Sequence, residues 1–103
     1  MAGWNSKFHA RTIIYSREFE EQSKLIQPDA RRLDEQLASV EWAIATNPEA
    51  FPQIPGTILR MIKTDPFPDA PPLRVFFSID DDDHCTAQWI EIIEEDITDE
   101  EEE

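Results

Sequence analysis

The chain is poor in the residues from which several kinds of site are built. Its one cysteine, Cys85, rules out an intramolecular disulfide and any multi-cysteine zinc site, and suits a reducing compartment. Two glycines leave no material for a Gly-rich phosphate loop, and neither HExxH nor CxxC occurs. No apolar run nears the length that spans a bilayer, and the leading MAGWNSKFHAR has no hydrophobic signal core. A cytoplasmic protein without membrane contact, cofactor or metal is the expectation. Lysine and arginine are missing from the last quarter. All nine Lys and Arg lie in residues 1–79, where ten acids nearly balance them, and the other thirteen acids fall at 80–103. The net charge of −14 therefore belongs to one turn and a tail, not to the body.

What is present fits one domain, since 103 residues support a modest core but not two. Residues 1–10 hold Trp4 and Phe8 without a period and read as a loose leader. Residues 11–93 read as the folded domain. Residues 94–103 are acidic, repel one another and bring too little apolar surface to offset the entropy of ordering, so a disordered tail is expected.

The domain is organised around residues 57–93, which read as three strands: Thr57–Thr64, Leu73–Ile79 and His84–Ile93. In the middle one Leu73, Val75, Phe77 and Ile79 alternate with Arg74, Phe76 and Ser78, so one face is wholly apolar and needs a cover. The upstream chain can supply it. Arg11–Tyr15 is a short β-favouring run, and Ser16 can cap a helix over REFEEQSKLIQ with Phe19 and Ile26 as its contact stripe. Asp29 can cap a second helix in which Leu33, Leu37, Val40 and Ile44 share one face, stopped near Thr46 by Asn47 and Pro48. The tight junction at Pro28 predicts an antiparallel helical hairpin, and PEAFPQIPG at 48–56 predicts a rigid linker. The fold class expected is α+β: an N-terminal strand, the helical hairpin, then a three-stranded antiparallel meander, with both helices on one face of an antiparallel sheet.

Candidate chemistry is sparse. Adjacent strand residues point to opposite faces, so His84 is badly placed to activate Cys85, which reads as a small buried residue. Asp80–Asp83 could attract a hard cation, but lacks the alternating ligands and glycine of a calcium loop and reads as a solvated turn. Among the cations, Arg60 and Lys63 lie three apart and should face opposite sides of their strand. Arg74 belongs on the open face beside Phe76, where a guanidinium next to an aromatic ring can grip a phosphate and stack on a base. Its alternative is an ion pair with a local acid such as Glu91.

The element order, together with LDEQLASVEWAIATNPEAF, TILRMIKT and especially LRVFFSIDDDDH, resembles the RelE/ParE superfamily of small bacterial type II toxin proteins. The resemblance covers about residues 11–93. It implies a toxin of a toxin–antitoxin pair, with a small antitoxin as partner. For RelE-like members it implies an mRNA interferase that inhibits translation by cutting mRNA on the ribosome. By position the resemblance assigns catalysis to Arg74, with Arg60 and Lys63 assisting. The RelE-like nucleases continue with basic residues after the last strand, whereas here the chain reads IEIIEEDITDEEEE. ParE-like members instead poison DNA gyrase by protein contact. The same scaffold could thus serve a noncatalytic interaction protein, either a gyrase-type inhibitor or an acidic nucleic-acid mimic.

Overall fold

The computed structural model describes residues 10–65 and 68–94. The expected leader, apart from Ala10, and the expected tail, apart from Glu94, lie outside the described residues.

Strand β1 spans Thr12–Tyr15 and runs directly into helix α1, Arg17–Ile26. The junction is Ser16, whose Oγ accepts the Phe19 N–H at 3.0 Å while its extended backbone turns the chain into the helix. Acids stand in the first turn of α1 and Lys24 in the last, as the helix dipole favours. Helix α2, Ala30–Thr46, starts at Asp29, whose side chain accepts the N–H groups of Arg31 and Arg32. It ends at Asn47, and Pro48 opens a 3-10 turn, Pro48–Ala50, because its fixed φ and missing N–H suit a first helical position.

The apolar stripes meet the sheet as their spacing predicts. Phe19, Leu37, Val40 and Ile44 are buried against Leu73, Val75, Phe77, Cys85, Ala87 and Ile90, with Leu33 and Ile26 packed at the margin. Helix α1 packs against the last strand and α2 against β1 and the 3-10 turn, and Gln27 Nε2 donates to Gln36 Oε1 at 3.3 Å between the helices. The helix–sheet seam is closely filled: the gap left between Phe19, Leu37 and Ala87 is about 10 Å³, no more than a single water.

The sheet is where expectation and structure part. Strand β2 is only Arg60–Lys63, not Thr57–Thr64. Ile54–Thr57 makes a tight turn with Pro55 and Gly56 in its middle, closed by the Thr57 N–H on the Ile54 carbonyl at 3.0 Å. Gly56 has φ +81°, a left-handed value that a side chain would strain. The chain is still completing that turn at Thr57, so it cannot yet run beside a neighbour. Strands β3, Leu73–Ile79, and β4, His84–Ile92, follow, with β2 antiparallel to β3 and β3 antiparallel to β4. The first strand is not another antiparallel member. It lies parallel to β4, Thr12 beside His84 and Tyr15 beside Ala87, which gives the order β1-β4-β3-β2. The sheet is therefore mixed rather than a simple meander, and the helices and linker carry the chain from one sheet edge to the other. No helix among the described residues is long and apolar enough to cross a membrane.

Candidate functional site: the open sheet face

Both helices pack on the face that carries Leu73, Val75 and Phe77, so the alternate residues of β3 stand on the other face. Register then sorts that face into rows running across the strands. Lys63, Arg74 and Glu91 are direct neighbours on β2, β3 and β4, and so are Met61, Phe76 and Trp89. Beyond them Ser78 lies beside Thr86, which in turn lies beside Ile14 of β1. Neither helix lies over these rows, and the turn at Asp80 covers the last of them, leaving Ser78 with 1% exposure.

Trp89 reaches this face through an irregularity. Phe77 pairs with Ala87 but Phe76 pairs with Trp89, so Gln88 is an extra residue that shifts the register of β4. Before it the odd residues Cys85 and Ala87 face the helices; after it the even residue Ile90 does, with 0% exposure. One inserted residue exchanges the faces of everything that follows. Were Gln88 instead paired as a regular ladder residue, Trp89 would enter the core and Ile90 would be solvated.

The charged row is locked by Glu91. Arg74 Nη1 donates to Glu91 Oε2 at 2.6 Å, and Trp89 Nε1 donates to Glu91 Oε1 at 3.2 Å. One carboxylate thus holds both the guanidinium and the indole. Lys63, on the far side of Arg74, is exposed and meets no acid within ion-pair distance among the described residues. Arg60 is on the opposite face, where its Nη1 donates to the Phe51 carbonyl at 2.6 Å and ties the linker to the sheet. Of the three cations assigned to catalysis by resemblance, the structure brings Lys63 and Arg74 together and leaves Arg60 apart. The opposed faces of Arg60 and Lys63 are those that strand alternation predicts, and Glu91 is the acid that the ion-pair alternative names.

At the other end of the rows the turn reaches over the face. Asp80 accepts Ser78 Oγ–H at 3.1 Å on one oxygen and Thr86 Oγ1–H on the other, and Gln88 Nε2 donates to Ser78 Oγ at 3.1 Å. Asp81 turns the chain: its Oδ1 accepts the N–H groups of Asp83 and His84, each at 2.8 Å, and lies 3.0 Å from His84 Nδ1. The Asp83 N–H and the His84 ring hold the Asp81 carboxyl below the usual carboxylate range. Among the described residues no group of three or more His, Cys, Asp or Glu is arranged to hold a metal ion. Cys85 has 0% exposure on the helix side, and burial pushes its thiol pKa up, which opposes thiolate formation.

Sequence reasoning did not single out Trp89 or Met61. Trp89 was legible only to a reader who counted parity backward from the apolar Ile90 as well as forward from Cys85, and found that the two counts disagree. Met61 carried no signal beyond its place between Arg60 and Ile62.

No protein-family model matches the chain, and neither a curated protein nor a solved structure matches it. Function is therefore read from the chemistry of this face. Among the described residues it offers a partly exposed aromatic and thioether row, an ammonium with no acid in ion-pair distance, a neutralised guanidinium and an acidic rim.

Proposed function

We propose that the chain is a RelE/ParE-like toxin-family protein of a bacterial toxin–antitoxin pair, acting by protein contact rather than by cutting RNA. The toxin-family part is supported by the element order of strand, two helices and three strands. The mode of action is carried by one observation: Glu91 engages Arg74 and Trp89 together. Transfer of a phosphate to a 2′-hydroxyl needs cations aimed at developing charge, with a proton donor and acceptor beside them. Here the arginine is already neutralised, Arg60 is across the sheet, and the carboxylate that engages Arg74 and Trp89 repels an RNA backbone.

A second reading, ribosome-dependent mRNA cleavage, is favoured by the juxtaposition of Lys63 and Arg74 on the face away from the helices. In that case an incoming phosphate displaces Glu91 and is held by Arg74 with Lys63 assisting. The partners in both readings include a small antitoxin; in the second they also include the ribosome and its mRNA.

Induced expression in a bacterial host close to the source, with Arg74→Ala run beside the unchanged chain, separates the two. Growth arrest by both chains is the expected result. Arrest relieved by a folded Arg74→Ala variant would establish the cleavage reading instead, and a host that grows unhindered would overturn the toxin reading altogether.

A further inference from the structure

We infer that the open sheet face docks a basic, amphipathic helical segment of a partner protein. The inference rests on the contact reading above and names the chemistry of the partner. The seat is the row Met61–Phe76–Trp89, with Ile14 at the β1 edge in the next row, where it lies beside Thr86. Trp89 is 38% and Ile14 46% exposed, large apolar side chains that folding leaves in water. Trp89 is also held in one orientation by Glu91, so little freedom is lost when something packs on it.

Three neighbouring strands place the ends of that row about 10 Å apart. A helix rises about 1.5 Å per residue, so apolar side chains at i, i+4 and i+7 span the same distance. Charge fixes the rest of the partner. On one flank Asp80 is drawn over the face by Ser78 and Thr86, and Asp81 and Asp82 stand exposed behind it. On the other flank Glu91 offsets Arg74, and Lys63 has no acid in ion-pair distance among the described residues. The complementary helix therefore carries Lys or Arg along the flank that meets the acidic turn. A net charge of −14 draws such a segment in from a distance. The same charge opposes both a second copy of this chain and a nucleic-acid strand.

The test uses the full chain carrying Trp4→Phe and Trp42→Phe, which leaves Trp89 as its one indole. The probe is a synthetic 14-residue amphipathic peptide with Leu at helical i, i+4, i+7 and i+11 positions and Lys elsewhere. A Glu-for-Lys version and a ten-nucleotide uridine RNA run in parallel. Expected is a blue shift of Trp89 emission with the Lys peptide alone, weakening as salt rises. Phe76→Ser should lower that affinity at least tenfold, with Met61→Ser as a second variant should the first fail to fold. Binding that leaves Trp89 emission unmoved, or that survives both substitutions undiminished, places the peptide elsewhere on the acidic chain and overturns the inference. A Trp89 shift with the RNA and not with the Lys peptide overturns it in favour of a nucleic-acid face. These outcomes are read from fluorescence and are independent of growth arrest, so the docking inference and the toxin reading can fail separately.

Discussion

Glu91 accepts a hydrogen bond on each carboxylate oxygen, and the identity of its neighbours makes its removal unlike that of Arg74. Lys63 sits directly opposite Arg74, and like charges directly opposite one another across strands are destabilising. Neutralising Glu91 leaves that repulsion uncompensated and frees the indole. Neutralising Arg74 removes the repulsion along with the attraction. Glu91→Gln should therefore cost about 1 kcal/mol and Arg74→Gln measurably less, since both side chains are about a third exposed and solvent screens the pair. Urea denaturation at low salt checks this, and the difference should shrink as salt is added. Equal costs would mean that the ion pair is not maintained in solution.

At the scale of elements, Ser16 joins parts of the fold that are far apart in the chain. Its Oγ accepts from the Phe19 N–H and also donates to the carbonyl of Gln88, the extra residue of β4, at 3.1 Å. Asp29 caps α2 alone, at an exposed position. An N-cap is worth about 1 kcal/mol, and an unsatisfied half-buried carbonyl costs about as much again. Ser16→Ala should thus lower stability by about 2 kcal/mol against about 1 for Asp29→Ala, read as unfolding midpoints in urea. Equal losses would show that water replaces the hydroxyl at Gln88. Both helices were legible in the sequence because caps and apolar period are local: Ser16, Asp29 and the stripe Leu33–Leu37–Val40–Ile44 act within a few turns. Strand β3 was legible for the same reason. The start of β2 was not, because the Pro55–Gly56 turn overrides the β-favouring run that begins at Thr57. The shift at Gln88 was not either, since it is set by what β3 presents across the ladder.

The whole molecule adds terms that no single element carries. The parallel seat of β1 beside β4 joins residues some seventy positions apart, and nothing local to TIIY selects it over the far edge of β2. For the same reason the open face was legible through Arg74 and Phe76 on β3, while its completion by Trp89 and Met61 waited on register.

This long-range pairing also sets how stability answers to pH. Tyr15, brought beside α2 by the β1 seat, is half buried and donates its hydroxyl to Glu41; burial first, and then Glu41, push its pKa well above the ordinary phenol value. The folded chain thus keeps a proton that the unfolded chain releases above about pH 10, so this contribution is complete below that pH and is lost above it. Glu49 and Asp81 have the opposite sign. The Glu49 carboxyl is held low by its own backbone N–H and then by Arg11, and Asp81 by the Asp83 N–H and His84. Their contributions are present above about pH 4 and are lost as pH falls through the lower folded values. The urea midpoint should accordingly form a plateau between these limits and decline on both sides. In Tyr15→Phe the plateau should be lower by about 1 kcal/mol, for the lost hydrogen bond. Its alkaline decline should be shallower, since a group that no longer titrates cannot drive it, while the acid side is unchanged. Parallel alkaline declines in the two chains would mean that Tyr15 is not protected from ionisation by the fold.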